Sequence, residues 1–322
     1  MRLRLLLAIT GLVVLALVAT AAVHSSGEGD ARQPNPAATG DTVLPPGPVA
    51  TYVALGDSYT AGPLIRWMRN DPPTCLRSTR NYPAVLAQWL EVDDLVDVSC
   101  SGADTGNITA SQSWFGRRAP AQLSAVTPDS DLVTLGVGGN DADLFSSLVA
   151  GARPPDLPGT LERVSRRVSR IVAAIRARAP TAVIAVVGYP RIVPERGTCA
   201  ALPFDARDNR YLDRVERALN AGLRRAAGTQ AVYVDTYGPS IGHDICAREA
   251  WVNGRRTRAL EALAYHPFAS GMQASAEAIH QVLRGRPPSV AVRQQAKAAL
   301  APRPAEALTR REQRFTASLL GG

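Results

Sequence analysis

The chain of 322 residues carries 36 Lys and Arg against 28 Asp and Glu, a formal net charge of +8, and Lys297 is its only lysine. This length can bury a sizeable core and suits one large domain with additions. The arginines are spread through the predicted helices instead of forming a basic stripe interleaved with aromatic residues, which argues against a nucleic-acid partner. Neither a P-loop nor a GxGxxG fingerprint occurs, so no nucleotide or flavin cofactor is expected.

The first 24 residues have the composition of an export signal. Two arginines precede a continuously apolar or small run, Leu5 to Val18, and a small-residue cleavage site follows at Ala19–Ala21. The apolar stretch continues to Val23, close to the ~20 residues that span a bilayer. The segment is therefore either a cleaved signal peptide or an N-terminal membrane anchor. In both cases the protein is expected to be secreted or held at the cell envelope.

The composition divides the rest of the chain into three parts. Residues 25–48 are rich in Gly, Pro, Ala and polar residues without periodicity, which predicts a disordered linker. Residues 49–287 alternate between apolar strand-like and helical patterns and are expected to form one α/β domain. Residues 288–322 are rich in Ala, Arg and Gln and form a C-terminal tail to which the sequence assigns no role.

The α/β pattern consists of five predicted strands with helices between them. Near-continuous Val, Leu and Ile content is typical of strands buried on both faces. The predicted strands are Thr51–Leu55, Leu95–Ser99, Leu132–Gly136, Ala182–Gly188 and Ala231–Asp235. Apolar residues recur at helical spacing from Leu161 to Ile175 and from Leu212 to Leu223, and a last helix is predicted at Ser270–Val282. With right-handed crossovers, this alternation predicts a three-layer α/β/α fold around a five-stranded parallel sheet.

The first strand ends in Gly56-Asp57-Ser58, which puts a serine hydroxyl on the turn at the carboxyl end of a strand. In open α/β sheets this is where ligands bind. Three further blocks follow in order: Ser101–Gly102, Gly138–Asp141 after another strand, and Tyr265–Pro267 before the last helix. Together the four blocks can supply a nucleophile, donors for an oxyanion and a general base.

Four such blocks in this order resemble those of the SGNH (GDSL-type) hydrolases, and more closely the secreted actinobacterial lipases and esterases of that family. The resemblance covers roughly residues 49–284. It implies Ser58 as nucleophile, His266 as base, and an oxyanion hole made by the backbone N–H groups of Ser58 and Gly102 and the side chain of Asn140. It also implies a flavodoxin-like strand order, 2-1-3-4-5. The implied activity is hydrolysis of acyl esters through an acyl-enzyme on Ser58.

The group that orients the base departs from the family pattern. The family usually has an aspartate three residues before the histidine, and Leu263 occupies that position here. We expect a Ser58–His266 dyad whose imidazole is oriented by a backbone carbonyl near Leu263, with the carboxylate of Glu261 as the alternative. His243, in a loop, is the only serious rival base.

Four cysteines in an exported chain predict two disulfides, for which three pairings exist. The resemblance favours Cys75–Cys100 and Cys199–Cys246. The chain has no CxxC or CxxH spacing, so no metal site is expected.

The substrate is less well defined by the sequence. Seven residues can either line an acyl groove or belong to ordinary packing: Leu64, Ile65, Trp67, Met68, Trp114, Phe115 and Trp251. The expected partner is an ester or lipid substrate met by a monomer, and association with a membrane or the cell envelope stays open. A carbohydrate O-acetylesterase or a thioesterase would use the same site. A catalytically silent envelope-binding module is a further alternative, suggested by the missing aspartate.

Overall fold

The computed structural model describes residues 43–114 and 117–299 of the chain. The predicted export segment, the predicted linker up to residue 42, Phe115 and the chain after residue 299 lie outside the described residues. Within them, the strands are β1 (Val49–Gly56), β2 (Val92–Asp97), β3 (Gln112–Trp114), β4 (Arg117–Ala119), β5 (Leu132–Gly136), β6 (Val183–Val187) and β7 (Val232–Val234). The helices are α1 (Ser58–Ala61), α2 (Tyr82–Trp89), α3 (Thr105–Thr109), α4 (Leu144–Val149), α5 (Leu157–Arg178), α6 (Ala206–Ala227), α7 (Ala269–Arg284) and α8 (Val290–Ala299).

Five parallel strands form the central sheet in the order β2-β1-β5-β6-β7. Counting only these strands along the chain, the order is 2-1-3-4-5, and the predicted three-layer α/β/α fold is confirmed. The register runs from Tyr52 opposite Leu132 to Gly56 opposite Gly136, so β1 and β5 end at the same edge. β3 and β4 form a separate antiparallel pair that the sequence pattern did not indicate.

The strand β2 differs most from its predicted bounds, Leu95–Ser99, because it starts at Val92 and ends at Asp97. Asp93 and Asp94 are exposed within it. β2 lies at the edge of the sheet, where a strand does not need the continuous apolar run of a central strand. Because the prediction looked for strands buried on both faces, it missed the first half of β2.

Alternate residues of β1 point to opposite faces of the sheet and enter two cores. Val53 and Leu55 pack with the apolar stripes of α5 and α6. Tyr52 and Ala54 pack on the other face with α2 and α7. The long helices begin where an aspartate accepts hydrogen bonds from free backbone N–H groups: Asp156 caps α5 and Asp205 caps α6.

The packed domain is longer than predicted at both ends. Leu44 is buried, and its N–H donates to the carbonyl of Leu283 over 2.9 Å. Packing therefore begins before the predicted boundary at residue 49. At the other end, α8 places Ala296 in the core against α2, and Arg293 pairs with Glu277 of α7 at 2.6 Å. Packing therefore continues past the predicted boundary at residue 287.

Both favoured disulfides are present. Cys75–Cys100 closes a separation of 25 residues, and Cys199–Cys246 closes one of 47 residues. Each joins loops on the side of the sheet where the strands end. Among the described residues, none of the helices combines the length and the apolar character needed to cross a membrane.

Candidate active site

Ser58 is the first residue of α1, directly after β1, and is 6% exposed. The strand reaches this point through Gly56, where an added Cβ would lie 2.1 Å from Thr60 Oγ1 and 2.6 Å from the carbonyl oxygen of Gly136. Only glycine lets the turn fold back this closely. The amide of Gln122 holds the same glycine from the other side, accepting from its N–H at 2.7 Å and donating to its carbonyl at 2.9 Å. Ser58, the predicted nucleophile, therefore sits on a turn fixed by the sheet.

Asp57 caps this turn and belongs to a buried hydrogen-bond network. One carboxyl oxygen accepts from the N–H of Tyr59 at 2.8 Å, and the other accepts from the hydroxyl of Tyr189. That hydroxyl accepts in turn from the N–H of Gly139 at 2.8 Å. Burial raises the pKa of Asp57 to about 7, against the lowering effect of these hydrogen bonds. The network ties the serine turn to the loop that carries Asn140.

His266 lies over this turn. Its Nε2 is 2.8 Å from Ser58 Oγ, and its Nδ1 is 2.6 Å from the carbonyl oxygen of Ala264. A carbonyl can only accept, so Nδ1 carries the proton and Nε2 is left to accept from the serine hydroxyl. Burial lowers the pKa of His266 to about 4, while the bond to Ala264 acts in the opposite direction. The imidazole is therefore neutral at pH 7 and able to take a proton.

The carbonyl that orients the imidazole is one residue away from the predicted one. Leu263 uses its carbonyl for the backbone N–H of His266 at 3.2 Å and for the side chain of Asn253 at 3.1 Å. Tyr265, with φ of 60°, turns the chain so that the next carbonyl, that of Ala264, meets the ring of its own histidine. The predicted carbonyl was that of a residue near Leu263, and the carbonyl in contact with the ring is that of Ala264.

Neither alternative to this arrangement is supported by the contacts. The side chain of Glu261 is 55% exposed and pairs with Arg258 at 3.3 Å, and not with His266. His243 bonds through Nδ1 to the carbonyl of Glu249 at 2.7 Å and stacks on Trp251, with ring centroids 4.0 Å apart. It does not line the cavity around Ser58.

His266 is carried by residues 241–268, here called the base loop, which contains neither a helix nor a strand of the main sheet. Pairings across the loop hold it: Asn253 N–H donates to the carbonyl of His266 at 2.9 Å, and Tyr265 N–H donates to Gly254 at 3.1 Å. The buried amide of Asn253 donates to the carbonyls of Arg256, Ala262 and Leu263 at 2.8–3.1 Å. The hydroxyl of Tyr59 in α1 donates to the carbonyl of Tyr265 at 2.6 Å, which joins the loop to the serine turn.

The predicted oxyanion donors Gly102 and Asn140 lie on neighbouring loops. Gly102 has φ of 78°, a conformation that suits glycine, and among the described residues no hydrogen-bond acceptor occupies its N–H or that of Ser58. Asn140 lines the same cavity as Ser58 and donates one amide hydrogen to the carbonyl of Ala103 at 2.9 Å. An amide nitrogen has two hydrogens, so the second can serve a ligand.

Asp141 locks these two loops together. Its carboxylate accepts from the N–H of Thr105 at 3.0 Å and from the hydroxyl of the same residue at 2.5 Å, and Arg167 of α5 pairs with it at 3.0 Å. Thr105 begins α3, three residues after Gly102. The backbone N–H and the side-chain amide that would face an oxyanion are thus held in place before any ligand arrives.

A cavity of about 250 Å³ opens beside the serine. Its walls are mostly apolar. They are formed by Tyr59, Phe145, Leu148, Val149, Ile192, Val193, Phe204, Leu212, Ala264 and Tyr265, together with Asp57, Ser58, Asn140, Ser146, Glu216 and His266. The rings of Tyr59, Phe145 and Tyr189 pack edge to face or tilted, with centroids 5.0–6.1 Å apart.

The described candidate lining residues lie away from the cavity. Leu64 and Ile65 are each 2% exposed in the core, and Trp67, Met68, Trp114 and Trp251 do not line the cavity. The residues that do line it come mainly from α1, α4, the loop after β6, α6 and the base loop, which are far apart in the sequence. Tyr189 was also missed, although its position directly after a predicted strand end was a usable signal.

The sequence of the chain is similar to those of known lipases. Residues 54–274 match the GDSL-like Lipase/Acylhydrolase family. Lipase 2 of Streptomyces coelicolor is 36% identical over 267 residues, covering 73% of this chain and 86% of that protein. The lipase of Streptomyces rimosus is 30% identical over 232 residues, covering 68% of this chain and 81% of that protein. The chain belongs to the GDSL-like lipase/acylhydrolase family. Membership makes it a carboxylic ester hydrolase.

Solved structures give the same relationship. Phospholipase A1 from Streptomyces albidoflavus shares 26% identity with this hydrolase, with a TM-score of 0.59 over 74% of this chain and 99% of that one. The extracellular lipase from Streptomyces rimosus shares 26% identity, with a TM-score of 0.61 over 72% and 99%. Within residues 43–114 and 117–299, no group of three or more His, Cys, Asp or Glu side chains is arranged to hold a metal ion.

Proposed function

We propose that this hydrolase is an exported serine esterase or lipase in which Ser58 and His266 act as a dyad. The observation that carries the proposal is the 2.8 Å contact between His266 Nε2 and Ser58 Oγ in the wall of a mostly apolar cavity. A neutral imidazole with its Nδ1 proton held by Ala264 has the tautomer that a general base needs.

In the first half of the reaction, Ser58 Oγ attacks the ester carbonyl carbon while its proton passes to His266 Nε2. The tetrahedral intermediate collapses when the imidazolium gives this proton to the alcohol oxygen, which leaves as the free alcohol. In the second half, water attacks the acyl-enzyme, again losing a proton to His266. The imidazolium then protonates Ser58 Oγ as the acid is released, so the enzyme is regenerated.

The negative oxygen that forms in both halves would be held by the N–H groups of Ser58 and Gly102 and by the amide of Asn140. Ser58 also lies at the first turn of a helix, where a negative charge is favoured. Backbone atoms fixed by the sheet, by Gln122 and by Asp141 need not reorganise during the reaction, which supports their use as oxyanion donors.

The substrate class is acyl esters, including lipid esters. The mostly apolar cavity suits an acyl chain, because burial of each methylene contributes about 0.8 kcal/mol. Relatives named lipase and phospholipase A1 support the same class. Two disulfides and an extracellular relative support export to an oxidising compartment, as a secreted protein or one held at the cell envelope.

The test is hydrolysis of p-nitrophenyl esters from acetyl to palmitoyl by the oxidised protein and by its Ser58→Ala variant. We expect activity that disappears in the variant and a chain-length optimum set by the cavity. A serine-reactive fluorophosphonate should label the wild type and not the variant. A folded wild type that neither reacts with the probe nor hydrolyses any chain length would contradict the proposal.

A further inference from the structure

One wall of the active-site cavity contains a carboxyl group that the proposed reaction does not use. Glu216 lies on α6, in the apolar stripe that faces the sheet, and is 3% exposed. It lines the same cavity as Ser58 and His266. A glutamate is seldom fully buried unless it is paired, so its presence in an otherwise apolar wall needs a reason.

The hydrogen bonds of Glu216 leave half of the carboxyl group without a partner. Oε2 accepts from the backbone N–H of Ile192 at 3.1 Å. Oε1 is buried and has no hydrogen-bond partner among the described residues. The guanidinium of Arg191, whose charge acts on Glu216, bonds elsewhere: it donates to the carbonyl of Val193 at 3.1 Å and pairs with Asp213 at 3.4 Å.

The protonation state of Glu216 follows from this environment. Burial is the largest effect and raises its pKa well above the usual range, with the charge of Asp213 acting in the same direction. A buried carboxyl that no cation pairs with is favoured in its neutral, protonated form. Since Oε2 accepts from Ile192, the proton resides on Oε1, which makes Oε1 a hydrogen-bond donor without an acceptor.

We propose that Glu216 determines specificity by donating a hydrogen bond from Oε1 to an oxygen atom carried along the acyl chain of the substrate. This inference rests on the proposed esterase function and names its preferred substrates: esters of acids whose chain bears a hydroxyl, ether or keto oxygen. A plain alkyl chain would leave the buried donor unpaired, which costs about 1–3 kcal/mol, whereas an oxygenated chain satisfies it. Sites built around a buried polar group discriminate strongly for this reason.

The experiment compares p-nitrophenyl decanoate with analogues in which an ether oxygen replaces one methylene, at each position from the fourth to the ninth chain atom. An ether accepts hydrogen bonds but cannot donate, so it reports on a donor in the protein. For the wild type we expect kcat/KM to rise about tenfold over decanoate at one or two adjacent positions. At the other positions the oxygen loses water without gaining a partner, and kcat/KM should fall.

Variants identify the residue responsible. Glu216→Leu should remove the peak. Glu216→Gln should keep it, because its amide can accept from Ile192 and still donate. Asp208→Asn is the control: this half-exposed acid lies two turns before Glu216 on the same helix, does not line the cavity, and should leave the profile unchanged.

The possible results separate the two proposals. A flat or uniformly lowered profile in an enzyme that hydrolyses decanoate would overturn the role of Glu216 and leave the esterase function standing. The role of Glu216 is also overturned if the peak survives in Glu216→Leu or disappears in Glu216→Gln. If the folded wild type hydrolyses none of the esters, the esterase function fails, and the inference fails with it.

Discussion

The two residues of the proposed dyad are held in different ways. Ser58 follows directly from β1, a strand paired on both sides, and its turn is held by Gln122 and by the capping carboxyl of Asp57. His266 lies on a base loop of 28 residues outside the sheet, which is held by backbone pairings across the loop, by the amide of Asn253 and by a disulfide.

The serine turn and the base loop are therefore positioned by different kinds of interaction. The serine turn takes its position from strand register, which buried apolar residues enforce over many residues. The base loop depends on a few hydrogen bonds between residues that are not neighbours in the sequence. We therefore expect substitutions in the base loop to disturb the dyad more easily than equally buried substitutions beside the serine.

The largest effect should come from the dyad itself. His266→Ala should lower kcat/KM by about 10⁴-fold or more, and combining it with Ser58→Ala should cost little further, because the two residues act as a unit. Steady-state kinetics on one ester tests this. His243→Ala is the control and should stay active, since that ring stacks on Trp251 away from the cavity. Loss of activity in His243→Ala would mean that the base has been assigned to the wrong histidine.

The next largest effect should be at the oxyanion hole. Asn140→Ala should reduce kcat by about 10²–10³-fold with a smaller change in KM, because the amide is used mainly in the transition state. Asn140→Asp keeps the shape but replaces the donor with an acceptor. The kcat of Asn140→Asp should fall at least as far as that of Asn140→Ala. An active Asp variant would exclude the amide as a donor.

The pH dependence follows from the base. The pKa of His266 is lowered to about 4, so kcat/KM should be flat near neutrality and fall about tenfold per pH unit below that value. The contribution of His266 to folding stability depends on pH in the same direction. It is fully present above 6.5, the pKa of the unfolded chain's histidine, and is lost as the pH falls from 6.5 towards 4. Asp57→Asn, which removes the group with a pKa of about 7, should leave the kinetic midpoint unchanged. A midpoint near 6.5 would show an imidazole in contact with water.

The comparison between the two regions is tested by a pair of buried amides. Asn253→Ala and Gln122→Ala each leave buried backbone groups unpaired and should destabilise by about 1–3 kcal/mol. We expect Asn253→Ala to lower kcat about tenfold more than Gln122→Ala, because sheet pairing still positions Ser58 when Gln122 is lost. Denaturation curves beside kcat values supply both quantities. Equal losses of kcat would mean that the loop is no more fragile than the turn.

The smallest effect should be at Glu261. Its side chain is more than half exposed and pairs with Arg258, so Glu261→Ala should lower kcat/KM by less than about tenfold. A larger loss would mean that Glu261 joins Ser58 and His266 in a triad that forms only when substrate is bound. Arg258→Ala, which breaks the same ion pair, should match the Glu261 variant if the effect is electrostatic.

Much of the fold was determined by the sequence itself. The central strands β5 and β6 could be read from continuous apolar runs because both of their faces are buried, and β5 matches its predicted bounds, Leu132–Gly136. The position of Ser58 also follows from sequence, since a strand, a Gly-Asp pair and a short helix are adjacent along the chain. The edge strand β2 was displaced because a half-exposed strand lacks that continuous signal.

What only the tertiary structure decided involves residues that meet from distant parts of the chain. Local pattern could not single out Ala264 over Leu263, because the choice depends on the left-handed turn at Tyr265 and on Asn253 engaging the other carbonyl. Nor could it assign Glu216 to the cavity wall, since a charged residue within an amphipathic helix is ordinarily expected on the solvated face. Chain order and composition fix which groups are available, and packing fixes which of them face the substrate.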